Sequence, residues 1–198
     1  MNSIRSTTFK LLASLCIVAS ATAASAAKIE GQTFDDHIRL ADAELVLNGV
    51  GMRGVLWIKG YVAGLYLAQK GSTPEKVLAV KGAKRIQLKM LLDVEAKEFT
   101  KAFNVGIRRN SSEAESAALK DRIDQFDHVI ELIGKVNKGD VVNLDFVPAR
   151  GLVLSVNGAV KGQPIPGEDL YAGILKIFIG EQPVDKKLKV GLLGGAPA

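Results

Sequence analysis

Arg53 stands in "LNGVGMRGVLWIKGYVAGLYLAQ", residues 47 to 69, a stretch otherwise apolar enough to form buried strands. A guanidinium placed there costs several kcal/mol unless it is paired, hydrogen-bonded or hydrated. In a regular strand it shares a face with Val55 and Trp57, so it would border an apolar wall. One fixed cation in a greasy pocket is a common way of holding a carboxylate, a phenolate or an enolate. The plainer alternative is a hairpin arginine in water.

Little other reactive chemistry is on offer. The two histidines, His37 and His128, have no second His or Cys at ligand spacing, so no metal site is expected. No cofactor is implied either: Gly49, Gly51 and Gly54 have the spacing of a dinucleotide fingerprint but stand between two strands instead of opening a helix, and the Lys-Ser/Thr of a phosphate loop is missing. Serines occur without the nucleophile-elbow context. Cys16 is the only cysteine and lies near the N-terminus, so thiolate catalysis and disulfides are not expected in the rest of the chain.

That N-terminus, "MNSIRSTTFKLLASLCIVASATAASAA", has the basic start, short apolar run and small-residue end of a secretory leader. Residues 1–26 are therefore expected to be removed after Ala26, leaving residues 27–198 as one domain in the bacterial periplasm. The apolar run is too short for a span of roughly 20 residues, and no later segment of that length is free of charge, so no integral membrane segment is expected after processing. The formal net charge is +5, two positive charges of which leave with the leader. A mildly basic chain without a basic run interleaved with aromatics gives no reason to expect nucleic acid as a partner.

The elements that must position Arg53 are mostly legible. Glu44 to Asn48 and Val55 to Leu67 read as strands, with the intervening glycines marking a turn or bulge. A short helix starts at Ser72, Thr73 or Pro74. Ile86, Leu88 and Met90 alternate with Arg85, Gln87 and Lys89 as in a half-buried strand. Ala96, Phe99, Phe103 and Ile107 share one helical face, and Leu119, Ile123, Phe126, Ile130 and Ile133 mark a second helix from Ser112 to about Lys135. "DVVNLDFVP" and "GLVLSVNGAVKGQPI" are strands, the latter folded into a hairpin at Asn157-Gly158. "PGEDLYAGILKIFIG" is a helix apolar nearly all round, and "PVDKKLKVGLLG" adds a short one. This order argues for an α+β domain on an antiparallel sheet.

"LNGVGMRGVLWIKGYVAGLYL", "KRIQLKMLLDVEAKEFTKAFNVGIRRN" and "KGDVVNLDFVPARGLVLSVNGAVKGQPIPGEDLYAGILKIFIGEQPVDKKLKVGLLG", in that order, resemble the exported bacterial branch of the chalcone isomerase-like family. The resemblance implies a large antiparallel sheet with helices layered on one face and a ligand cleft between them. It gives Arg53 the role of the arginine that stabilises developing negative charge in the plant enzymes and holds a carboxylate in fatty-acid-binding relatives. It places Asn104 at a ligand-contacting asparagine, Lys97 where the enzymes have a tyrosine, and Tyr61 at their strand hydroxyl, in place of threonine. Their late serine or threonine has no counterpart here.

Three functions are then open. One is a binding protein for a small apolar anion, fatty-acid-like or flavonoid-like, held by Arg53 with Trp57, Tyr61, Tyr66, Phe99 and Phe103 as candidate walls and Asn104 and Lys97 as further contacts. A second is an intramolecular lyase closing a ring on a chalcone-like substrate, with Arg53 as its catalytic cation. The third is an envelope interaction module with no ligand, in which the stripe Lys97, Lys101 and Arg108 meets an acidic partner or anionic lipid heads. The departures at Lys97 and Tyr61 favour the first.

Overall fold

Alternation of side chains along residues 84–90 sets the frame: Lys84, Ile86, Leu88 and Met90 are buried while Arg85, Gln87 and Lys89 are half-buried. The computed structural model describes residues 26–196, so the expected leader lies outside the described residues apart from Ala26. In chain order the elements are β1 (Ala26–Ile29), β2 (Gln32–Asp35), β3 (His37–Leu40), β4 (Ala43–Val55), β5 (Ile58–Leu67), α1 (Pro74–Ala79), β6 (Lys84–Met90), β7 (Val94–Glu95), α2 (Ala96–Asn110), α3 (Glu113–Glu131), β8 (Lys135–Val136), β9 (Val141–Val147), β10 (Gly151–Val156), β11 (Ala159–Ile165), α4 (Glu168–Ile179) and α5 (Lys186–Leu192).

Seven strands form one sheet in the order β11-β10-β9-β6-β5-β4-β3, antiparallel at every junction. The α+β expectation with a large antiparallel sheet therefore holds. Ala63, Leu65, Ile86, Leu88, Leu144 and Leu154 face the helices and merge with α2, α3 and α4 into the main core. On the opposite face Phe34, Leu45, Val62 and Tyr66 form a second, smaller core beneath the β1–β2 hairpin.

Local chemistry accounts for most element ends. Thr73 caps α1 ahead of Pro74, where a missing N–H costs nothing. Ser112 and Glu115 make a reciprocal capping box at the start of α3. Asn157 and Gly158, both at positive φ, close the two-residue turn between β10 and β11 as expected. α4 is buried all round and its Tyr171 hydroxyl donates to the Leu144 carbonyl at 3.0 Å, fixing the helix on the sheet.

Two boundaries differ from the sequence reading. α3 stops at Glu131, and Gly134, at positive φ, turns the chain into β8. More important for the site, β4 does not break at its glycines. It runs on to Val55, and the turn falls at Leu56 and Trp57. Register shifts between Leu47 and Gly49 and between Arg53 and Gly54 absorb the irregularity as bulges.

Candidate ligand-binding site

The glycines of "NGVGMRG" serve a close approach. A Cβ on Gly49 would stand 2.2 Å from the Gly191 carbonyl oxygen and one on Gly51 would stand 2.8 Å from that of Leu188. Gly191 reciprocates, because its own Cβ would meet the Val50 carbonyl oxygen at 2.2 Å. α5 thus lies directly on the backbone of β4. Gly49, Gly51 and Arg53 pair with Leu65, Ala63 and Tyr61, all on the helix-facing side of the sheet. Arg53 is therefore the first residue of that row to carry a side chain, and it enters the space the helices leave open.

That space is a narrow cavity of about 80 Å³ between sheet and helices, smaller than the roughly 300–1,000 Å³ usual for small-molecule sites, so a guest must spread its walls. Arg53 and Tyr61 are its polar groups. The rest of the lining is apolar, with Phe99 and Phe103 from α2, Phe126 and Ile130 from α3, Leu144 from β9 and Phe178 from α4 among the walls. The Phe103 and Phe126 rings pack 4.5 Å apart, tilted at 52°. A second hollow shares Arg53, Tyr61, Phe99 and Ala102 with the first and is bordered by Ile58, Val94, Glu98 and Lys101. Through these shared residues it adjoins the cavity at the β4–β5 hairpin, and it is called the mouth below.

Arg53 is half-buried, and among the described residues no carboxylate forms an ion pair with it. Its guanidinium carbon sits 5.9 Å from the centroid of the Tyr61 ring. Burial pushes the Tyr61 phenol up to about 12, and the Arg53 charge offsets this only in part. Tyr61 therefore keeps its proton at neutral pH and remains a hydrogen-bond donor beside a cation. Both groups offer N–H or O–H and ask for an anion.

The structure sorts the expected site residues. Arg53, Tyr61, Phe99 and Phe103 come together. Trp57 does not join them: the bulge after Arg53 and the turn at Leu56-Trp57 put it at the hairpin tip, 83% exposed. Tyr66 lies on the opposite face of the sheet in the second core, because residues 61 and 66 differ by an odd number along β5. Asn104 is not among the cavity walls; its amide donates to Asp127 Oδ2 at 2.6 Å across α2 and α3. Lys97 is exposed outside the cavity, and Lys101, one turn later, reaches its mouth. The sequence reading missed Leu144, Leu154, Phe178 and Val184 as walls. Their periodicity marks them as interior, but nothing in it distinguishes a cavity wall from a filled core. Among the described residues no three His, Cys, Asp or Glu side chains gather as a metal site would need, and no helix is long and apolar enough to cross a membrane.

The family model for chalcone isomerase-like proteins matches residues 26–194. The chain belongs to the chalcone isomerase-like family. A search of the curated proteins finds no match. Among solved structures this chalcone isomerase-like protein is similar to the crystal structure of a fatty-acid binding protein of Arabidopsis thaliana, AtFAP1, with a TM-score of 0.67 and 17% sequence identity over 85% of this chain and 96% of that one. At that identity the likeness is one of fold.

Proposed function

We propose that this chalcone isomerase-like protein binds a small apolar anion of the fatty-acid type, its head group on Arg53 and Tyr61 and its tail among Phe99, Phe103, Phe126 and Phe178. One observation carries the reading: a half-buried guanidinium without a carboxylate partner opens into a cavity whose other walls are apolar. A buried charge needs a counter-charge, and a carboxylate accepting from a guanidinium and a phenol supplies it with charge-assisted hydrogen bonds. Each methylene of a tail withdrawn from water adds about 0.8 kcal/mol, offset by the cost of ordering the chain. The fold likeness to a plant fatty-acid binding protein supports the same reading. On the leader expectation, the site works in the bacterial periplasm.

Native mass spectrometry tests this. Protein purified from cells, or challenged with palmitate or oleate, is expected to carry one acyl chain per molecule. Absence of ligand from both preparations ends the proposal. Ring closure on a chalcone would draw on the same Arg53, yet Asn104 is engaged by Asp127 and lies off the cavity wall. Product formed from a hydroxychalcone no faster than in buffer removes the lyase. The ligand-free interaction module requires Arg53 to be fully solvated or locked in an ion pair; among the described residues no ion pair forms, and the guanidinium is half-buried beside an apolar cavity.

A further inference from the structure

Leu56, Trp57 and Ile58 are consecutive at the tip of the β4–β5 hairpin and are 85%, 83% and 53% exposed. Leu56 and Trp57 are the most exposed large apolar side chains among the described residues, and with Ile58 they make a continuous run of three. The tip is also not remote from the site. Ile58 borders the cavity mouth together with Arg53, Gly54, Phe99 and Lys101, so apolar surface runs from the tip into the mouth. Cations accompany it: Lys59, which pairs with Glu30 at 2.6 Å, and Lys101, which borders the mouth, with Lys97 one turn before it on α2; both α2 lysines are exposed and paired with no carboxylate among the described residues. Glu98 at the mouth is the opposing charge.

The geometry points to a membrane-docking tip: the β4–β5 hairpin inserts Leu56, Trp57 and Ile58 into the surface of an anionic phospholipid bilayer, with Lys97 and Lys101 against the phosphates and the cavity mouth facing the lipid. Three side chains on a convex turn cover far less than the roughly 800 Å² per partner of a stable protein interface, which argues against a second copy as the occupant. A bilayer sets no such minimum, because each apolar side chain that enters it contributes separately. An indole at the tip suits the lipid–water boundary, where an apolar ring with one N–H is favoured. Lysines at the same level are attracted to anionic head groups. The purpose, collecting the acyl guest where it partitions, rests on the ligand reading above; the contact itself rests on the tip.

Trp57 is the only tryptophan of the chain and reports the contact directly. The protein starting at Ala27 is suitable, since it contains every described residue of both cores and lacks the apolar leader run, which would itself bind lipid. With vesicles of phosphatidylcholine and phosphatidylglycerol, Trp57 emission is expected to move to shorter wavelength and to be quenched by lipids brominated high on the acyl chain. Leu56→Asp/Ile58→Asp should weaken binding at least about tenfold with an unchanged circular dichroism spectrum, and Lys97→Glu/Lys101→Glu should weaken it and flatten its salt dependence. Acyl loading is read separately, by native mass spectrometry of Leu56→Asp/Ile58→Asp with palmitate in the absence of vesicles, where it should match the native protein, so failure of the docking and failure of the ligand reading give different results. An unchanged emission with these vesicles, equal binding to phosphatidylcholine alone, or vesicle binding unaffected by Leu56→Asp/Ile58→Asp overturns the inference. So does an emission shift that follows protein concentration without lipid, which would assign the tip to a second copy.

Discussion

Arg53 and Arg85 are both strand arginines on the same sheet, yet they face opposite sides and meet opposite partners. Arg85 lies between Tyr66 of β5 and Asp145 of β9 in direct register. It donates from Nε to Asp145 Oδ1 and from a terminal nitrogen to Oδ2, both at 2.6 Å, with the two side chains 16% and 6% exposed. Gln87 continues the row with a bond to Asn143 at 3.0 Å. Arg53 has only the neutral Tyr61 opposite it, and β3 pairs with β4 only over Ala43–Val46, far short of Arg53. A cation satisfied by its own fold is a structural element. One left unsatisfied beside an apolar cavity is an invitation to a ligand, and cross-strand register is what separates the two.

The largest expected effect comes from the satisfied pair. Arg85→Ala leaves the Asp145 carboxylate buried without its guanidinium, which costs roughly 3–5 kcal/mol for a buried pair; urea denaturation should show it, with acyl binding intact in the protein that stays folded. Arg53→Ala should do the reverse: acyl affinity falls by up to about a hundredfold, the loss of a charge-assisted contact, while the denaturation midpoint stays within the small range of surface substitutions. If Arg53→Ala unfolds the domain and Arg85→Ala does not, the contrast between the two arginines is wrong.

Tyr61→Phe sharpens the comparison, because it removes the donor beside Arg53 and leaves the wall. Acyl affinity should fall only a few-fold, in line with about 1 kcal/mol for one hydrogen bond, by isothermal titration. The smallest effect concerns a second, half-buried acid. Asp127 has an amide, Asn104, where Asp145 has a guanidinium. Burial raises the Asp127 carboxyl above its ordinary value, the Asn104 bond opposing only in part. Its folded form then holds a proton that the unfolded chain has released, so the stability it contributes is present in acid and lost as pH rises through the window above the ordinary carboxylate value. Asp127→Asn should remove that part of the pH dependence and raise stability slightly at pH 7, by comparison of denaturation midpoints at pH 4 and pH 7.

The residues that were easiest to read follow local rules. Ile86, Leu88 and Met90 alternate because one face of β6 meets the core and the other does not. Asn157-Gly158 turns because both residues tolerate positive φ. The glycines of "NGVGMRG" read as a turn or a bulge, and bulges are what β4 has; their second use, the close approach of α5 to β4, leaves no local pattern. Trp57 was placed beside Arg53 on the premise of a regular strand, which the bulge after Arg53 breaks. Once the turn is at Leu56-Trp57, the tryptophan cannot share the wall with Arg53. Asn104 was expected to touch the ligand, but no periodicity reports that Asp127 of the next helix occupies its amide.

By itself the sequence determined the alternation of strands and helices, the choice of an antiparallel sheet, and the presence of one arginine inside an apolar hairpin, because each of these depends on neighbours a few residues apart. Tertiary structure alone decided that Arg53 faces a cavity with no carboxylate, that Tyr61 stands opposite it, and that Trp57 points out of the molecule. Those facts depend on register, on bulges and on which distant side chain arrives first. Partnership across more than about twenty residues of chain is not written in any local pattern, and the partners decide whether a buried charge holds the fold or awaits a guest.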